Sequence, residues 1–363
     1  MDDELRKELS DARGEIDAID AQLLDLLNRR ARCAQKVGEI KARRGEGDFV
    51  YRPEREAQVL RRIRESNAGP LADESVTWFF RELMSACLSL EQPLCVVFLG
   101  PLGTFSESAA AKHFGHAAHL SPQASIDDVF REVEAGRADF AVAPVENSTE
   151  GAIGRTLDLL MASPLKVCGE VVLRVEQHLM SRESSLDAIG TVYAHAQSLA
   201  QCHEWLNRSL PGARRVAVGS NAQAAQLAAA EAGTAALAGE AAARRYDLAI
   251  LAGNVEDEPN NTTRFLVLGR QESGPSGSDK TSLIMSAPNR TGSLCELLAP
   301  FSAAGVSMTR LESRPARHTL WEYVFYVDVE GHRDDPPLAR ALSELASRAA
   351  YLKVLGSYPV AVY

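Results

Sequence analysis

Residues 5–44 run without a proline, and their apolar side chains recur at helical intervals: Ile16, Ile19, Leu23, Leu26, Ala34 and Val37 step by three or four, with a gap at position 30. That period predicts one long helix carrying a single apolar stripe. Charge interrupts the stripe, because Arg13, Arg30 and Lys41 fall on the same line, and a charge on a buried face needs a partner. Pro53 suits the first turn of a second helix carrying Val59, Leu60 and Ile63, closed by Asn67-Ala68-Gly69-Pro70. A third helix runs from Asp73 to Glu91. Glu56 lines up with the apolar residues of the second helix, and Glu91 follows Phe80, Met84 and Cys87 at helical steps in the third.

Inward cations and carboxylates on three helices can close as internal salt bridges, snorkel outward, or hold a charged ligand. A rise of ~1.5 Å per residue puts the Arg30 and Lys41 backbones roughly 16 Å apart, within reach of two converging side chains. Arg13 is about 25 Å from Arg30 on the same rod. If all three serve one ligand, Arg13 must reach the site of a second chain, which implies an intertwined homodimer.

From Leu94 the pattern changes to short apolar strands, such as LCVVFLG, DFAVAPVEN and FLVLGR, alternating with alanine-rich helical stretches, which implies α/β layering. A chain of 363 residues exceeds what one core supports. The expected division is a helical domain 1–92, an α/β domain 93–271, a Gly/Ser/Pro linker 272–279 and a small βαββαβ domain 280–363. The net charge of −10 hides a balanced start, since residues 1–65 carry fifteen Lys/Arg and fifteen Asp/Glu. That balance disfavours nucleic-acid binding and raises the question of what anion the arginines meet. No apolar run is long enough to cross a bilayer, and the acidic start Met1-Asp2-Asp3-Glu4 lacks the features of a secretory signal. Six scattered cysteines without a CxxC pair fit reduced thiols, so a cytoplasmic location is expected.

The run RGEIDAIDAQLLDLLNRRARCAQKVGEIKA followed by YRPEREAQVL resembles the all-helical chorismate mutases, over about residues 5–92. The resemblance implies that Arg13 of the partner chain, Arg30 and Arg55 clamp the two carboxylates of chorismate, that Lys41 and Glu91 donate to its ether oxygen and that Glu56 meets a hydroxyl. The same resemblance implies that Arg52 and Cys87 line the site. A pericyclic rearrangement needs no nucleophile, metal or cofactor, only a folded reactant and stabilised charge on the ether oxygen, and arginine forks suit carboxylates. Arg52 stands where an aspartate is common, and Glu91 where some members have glutamine. A carboxylate cannot donate, so Glu91 is expected to act protonated, with its pKa raised by burial.

Four phrases, LGPLGTFSESAA, APVENSTEG, YAHAQSLAQC and NNTTRFLVLG, together resemble prephenate dehydratase over residues 94–270. The family's fold resembles the two-lobed periplasmic binding proteins, with substrate in the cleft. Read from the residues, Gly100–Ser106 is a strand-to-helix turn rich in N–H and hydroxyl donors, suited to an anion or simply capped by Ser106. By resemblance Thr263 is the hydroxyl near the leaving group. Asn147, Ser148 and Gln201 position it or the substrate, Arg264 holds the retained carboxylate or the site, and Ser106, Glu146, Thr149 and Phe265 belong to the site. Ala194 stands where many relatives have serine, a loss that His195, Gln197 or Ser198 can offset. An arginine on the scissile carboxylate would stabilise the ground state more than the transition state. His113, His116 and His119 are spaced by three but interrupted by Gly115, and they read as solvated surface side chains rather than a metal site.

Residues 280–363 resemble an ACT domain, the small amino-acid-sensing fold. The likeness rests on Asn289-Arg290-Thr291-Gly292-Ser293-Leu294, a strand-to-helix turn, and on Leu311-Glu312-Ser313-Arg314-Pro315, which matches the motif of phenylalanine-inhibited dehydratases. It implies phenylalanine as effector, bound between paired domains through these residues, with backbone donors for the carboxylate and acceptors for the ammonium. Two alternatives remain open at this level: a dehydratase that accepts arogenate, and a non-catalytic two-lobed ligand-binding regulator with an amino-acid sensor.

Overall fold

The computed structural model describes residues 2–43, 51–287, 290–315 and 323–361. Three helices come first: α1 (Asp2–Arg43), α2 (Pro53–Ser66), opened by a proline in its first turn, and α3 (Asp73–Glu91). α3 packs on α1, and with the start of α2 it lines the C-terminal half of α1, where Arg30, Ala34 and Lys41 are half-buried. The rest of the stripe is bare, with Ile16 57% and Leu26 54% exposed. The expectation of a buried stripe is therefore not met within one chain, and Arg13 is exposed.

A first α/β half holds β1 (Cys95–Leu99), α4 (Phe105–Phe114), β2 (His119–Gln123), α5 (Ile126–Glu134), β3 (Phe140–Asn147), β4 (Gly151–Ala152), α6 (Gly154–Ala162) and β5 (Lys166–Arg174). The second half holds β6 (His178–Ser181), β7 (Thr191–His195), α7 (Ala196–Gln201), α8 (His203–Ser209), β8 (Arg214–Val218), α9 (Asn221–Ala230), β9 (Thr234–Ala238), α10 (Glu240–Tyr246) and β10 (Ala249–Ala252). The chain then returns as β11 (Thr262–Gly269) into the first sheet, ordered β2-β1-β3-β11-β5 with β4 beside β3. The second sheet is ordered β10-β6-β9-β7-β8. Its central strand β9, TAALA, is buried at every position, as a strand covered on both faces requires.

The last unit is β12 (Asp279–Ser286), α11 (Ser293–Ala303), β13 (Met308–Pro315), β14 (Tyr323–Glu330), α12 (Pro336–Arg348) and β15 (Tyr351–Pro359), with antiparallel order β13-β14-β12-β15. This is the expected βαββαβ succession. Alternation along β12 divides its side chains, Leu283 and Met285 facing α11 and α12 while Ile284 faces the first half. On that side Val324, Tyr326, Leu355 and Tyr358 share one core with Leu157, Leu160 and Leu266.

The Gly/Ser/Pro segment before β12 is pinned rather than tethered loosely. Asp279 accepts from the Ser276 N–H at 2.8 Å, Arg61 donates to the Ser276 carbonyl at 3.1 Å, and His332 bonds the Ser273 carbonyl at 3.1 Å. Its small residues fit between three packed units, and composition alone does not reveal that. No helix of the described residues is long and apolar enough to cross a membrane.

Candidate active sites

The first site is a pocket of about 270 Å³ where α1 supplies Arg30 and Lys41, the start of α2 supplies Arg52, Arg55 and Glu56, and α3 supplies Cys87 and Glu91. Every helical candidate except Arg13 is thus brought together. The close approach of α1 to α3 depends on Gly38, since a Cβ there would lie 3.1 Å from the Glu91 side chain. Burial raises the Glu91 pKa, against the pull of Lys41, and its Oε2 has no hydrogen-bond partner among the described residues. Glu56 is raised to about 7 by burial, against Arg81, whose Nε lies 3.6 Å away. Sequence reasoning passed over Arg81, although it precedes Met84 and Leu88 at helical steps, the same signal that drew attention to Glu91.

The second site is a cleft of about 680 Å³ between the two α/β halves. Ser106, Asn147 and Thr263 line it from the first half, and His195, Gln197, Ser198 and Gln201 from the second. α4, capped by Thr104, and α9, capped by Ser220, both begin at this lining and turn their N-terminal dipoles towards it. The lining contains no Arg or Lys among the described residues.

Asn147 stands opposite Thr263 in the β3–β11 pairing. Its Oδ1 accepts from the Thr149 and Glu150 N–H groups at 3.1 and 3.2 Å and from the Thr149 hydroxyl at 2.6 Å. Its Nδ2 therefore faces the other way and donates to Thr263 Oγ1 at 2.9 Å. Thr263, having accepted, keeps its own proton for the cleft. Ser148 holds the loop by accepting from the Thr262 N–H at 2.9 Å. Ser198 accepts from Gln177 and Asn221 at 3.1 and 2.7 Å, His195 caps α7, and Ala194 is wholly buried.

Five candidates, Glu146, Ser148, Thr149, Arg264 and Phe265, do not line the cleft, and Arg264 and Glu146 turn from it because neighbours along a strand face opposite sides of the sheet. Arg264, next to Thr263, turns back and donates to Glu170 at 2.8 Å, Asp328 at 2.5 Å and Tyr358 at 2.8 Å. Glu146, next to Asn147, pairs with Arg310 at 2.8 Å. Phe265 sits beneath the cleft in the core with Phe98 and Phe140. Nor are the three histidines a surface set: His113 bonds the Tyr51 hydroxyl at 3.1 Å in the junction between the helices and the α/β unit, and desolvation lowers its pKa to about 3.

Comparison with known proteins bears on both sites. Residues 12–92 match the family model for chorismate mutase type II, 96–273 that for prephenate dehydratase and 281–347 that for the ACT domain. The bifunctional chorismate mutase/prephenate dehydratase of Neisseria gonorrhoeae is 56% identical over 353 residues, 96% of each chain. The chain belongs to the bifunctional chorismate mutase/prephenate dehydratase family.

Two solved structures are similar over 73% of this chain. A prephenate dehydratase from Arthrobacter aurescens in complex with L-Phe gives a TM-score of 0.67 at 33% identity, covering 89% of that chain. A chain described as GqqA, a novel type of quorum quenching acylase, gives 0.68 at 32%, covering 98% of that chain. As a member of the family, the enzyme rearranges chorismate to prephenate and converts prephenate to phenylpyruvate.

In its ACT unit, Thr291, Gly292, Ser293 and Leu294 form the turn into α11, with Gly292 at φ +83° as its cap. Leu311–Pro315 lie on the edge strand β13. Ser286 and Arg314 both pair with Val324, so the turn and the end of the β13 motif share one end of the sheet. Asn289 lies outside the described residues. Arg314 reaches Asp158 of α6 at 3.4 Å.

Proposed function

We propose that the helical pocket is the mutase site, with Arg30 and Arg55 clamping the carboxylates of chorismate and Arg52 and Cys87 at its wall. Lys41 and protonated Glu91 donate to the ether oxygen as charge grows there, and Glu56, held by Arg81, meets the hydroxyl. The partner subunit's Arg13 completes the clamp in an intertwined homodimer. The bare stripe of α1 supports this, since Ile16, Ile19, Leu23 and Leu26 have no cover within one chain.

The cleft is the dehydratase site, and the two α/β halves close on it in the manner of two-lobed binding proteins. Prephenate loses its ring carboxylate as CO2 while the electron pair of that C–C bond enters the ring and expels the hydroxyl, which leaves as water with one proton consumed. Thr263 donates to that departing oxygen, Asn147 aims it, and Gln201, Gln197, Ser198, His195 and Ser106 hold the rest of the substrate. Arg264 and Glu146 act from behind the sheet. The single observation that carries the reading is the Asn147–Thr263 hydrogen bond, whose polarity leaves one hydroxyl proton facing the cleft.

Phenylalanine is the feedback effector, bound between paired ACT units at the α11 turn and the β13 motif, as the phenylalanine complex of the Arthrobacter relative supports. Its signal has a short route. Arg310, beside Leu311, pairs with Glu146, and Arg264 pairs with Asp328, so the ACT sheet grips the back of the two strands whose fronts carry Asn147 and Thr263. The domains are 1–92, 93–271 and 280–363, and the enzyme works in the cytoplasm.

The test supplies chorismate to two full-length variants. Thr263→Ala should accumulate prephenate, with dehydratase activity down on the order of 10³-fold and mutase intact. Lys41→Met should lose mutase to a similar degree while still converting added prephenate. Normal phenylpyruvate formation by Thr263→Ala rejects the cleft assignment.

A further inference from the structure

The amide network in the cleft singles out a residue that has had no role so far. Asn261 precedes β11, lines the cleft and is 2% exposed. Its Oδ1 accepts from Asn147 Nδ2 at 2.8 Å. The direction of that bond is not free. Two backbone N–H groups and one hydroxyl already point at Asn147 Oδ1, so its other end must be the NH2 group, and Asn261 must meet that group with oxygen. Asn261 therefore turns its own NH2 away from Asn147. That Nδ2 is buried and has no hydrogen-bond partner among the described residues. Buried donors are nearly always satisfied, so an unmet one lining a cleft marks where another molecule brings an acceptor.

We infer that Asn261 is a substrate-contacting residue of the dehydratase, its Nδ2 donating a hydrogen bond to an oxygen of bound prephenate while its Oδ1 fixes Asn147. Asn261 Oδ1 and Thr263 Oγ1 both lie within 2.9 Å of the same nitrogen, so the two residues serve the same end of the substrate, that of the departing hydroxyl. The second half supplies a counterpart, since Gln201 Nε2 lines the same cleft, buried and without a hydrogen-bond partner among the described residues. Each half thus contributes one neutral amide donor, and neither places a full positive charge near a carboxylate that must leave uncharged.

The inference rests on the cleft being the dehydratase site, and the test separates the two claims. Asn261→Ala removes both ends of the amide. Asn261→Asp keeps an acceptor for Asn147 but donates only when protonated. Both are made in the full-length chain, whose mutase activity reports folding independently. At about pH 7.5 each variant should lose dehydratase kcat/KM about 100-fold with mutase unchanged. On moving to about pH 5, Asn261→Asp should recover at least about tenfold relative to the unmodified enzyme, as its carboxyl gains a proton, and Asn261→Ala should not. Asn261→Asp working within about threefold of the unmodified enzyme at neutral pH, or both variants following one pH dependence, overturns the donor role. If Thr263→Ala is inactive in that case, the cleft assignment stands and only Asn261 loses its part; if Thr263→Ala is active, both fall.

Discussion

On the proposed assignment the two sites of this chain handle dianions that differ by one rearrangement, yet their linings differ in charge. Arg30, Lys41, Arg52 and Arg55 border the helical pocket, whereas the cleft is lined by hydroxyls, amides and helix N-termini without an Arg or Lys among the described residues. The chemistry explains the contrast. Chorismate keeps both carboxylates through its rearrangement, so ion pairs that hold them are as strong at the transition state as before it, and those at the ether oxygen grow stronger. Prephenate must surrender a carboxylate as neutral CO2. A cation bound to it would deepen the ground state and lose its partner as the bond breaks. Neutral dipoles orient that substrate at smaller cost.

Cations do approach the catalytic strands of the dehydratase, but from behind, and removing one should separate stability from chemistry. Arg264 is bracketed by Glu170 and Asp328, and Lys280 bonds both oxygens of Glu170 at 2.8 and 2.9 Å. Replacing Arg264 with Met leaves two buried carboxylates short of a partner, a loss of about 3–5 kcal/mol. Thermal or urea unfolding of the α/β and ACT units should register it, while prephenate turnover in the folded fraction stays within a few-fold and phenylalanine inhibition weakens. A large rise in KM for prephenate with stability unchanged would instead put Arg264 on the substrate.

The converse experiment adds the missing charge. Gln201→Arg places a guanidinium in the cleft, and the contrast predicts a lower KM for prephenate with kcat reduced roughly tenfold, because the new interaction favours the ground state. A kcat that holds or rises would show that charge is tolerated there and that its absence has another origin.

How far these arrangements could be read from the sequence follows from the kind of element. On helices the period of 3.6 fixes which residues share a face, so Arg30, Lys41, Glu56 and Glu91 could be assembled before any coordinates. Arg81 carried the same signal and was legible in retrospect. On strands the alternation is known but its phase is not. Which of Thr263 and Arg264, or Asn147 and Glu146, faces the cleft depends on the pairing of β3 with β11 and on what covers the far face. The ACT sheet supplies that cover, so Arg264 and Glu146 lie behind the strands while Thr263 and Asn147 line the cleft. Asn261 stayed hidden for a related reason, since an unpaired amide becomes visible only once its neighbours' hydrogen bonds are drawn. The bare stripe of α1 shows the limit from the other side: the apolar period was evident, but nothing among the described residues covers it.

The smallest effect concerns the one group in the mutase pocket that must be neutral to work. Glu91 is raised above the ordinary glutamate range by burial, and Lys41 pulls the other way. In the proposed role a protonated Glu91 donates to the ether oxygen, and an ionised one cannot. The protonated fraction falls as pH rises through the raised pKa, so mutase kcat should decline on the alkaline side of that value. Burial raises Glu56 to about 7 in the same pocket, which adds its own limb, so the comparison has to be made against Glu91→Gln, which leaves Glu56 and its Arg81 partner in place. Glutamine donates at every pH, so the variant should lose only the decline assigned to Glu91 and keep the limb set by Glu56, with activity within several-fold of the unmodified enzyme at low pH. If the two pH profiles coincide, Glu91 does not donate to the ether oxygen, and the mutase site performs its rearrangement with Lys41 as its one donor there.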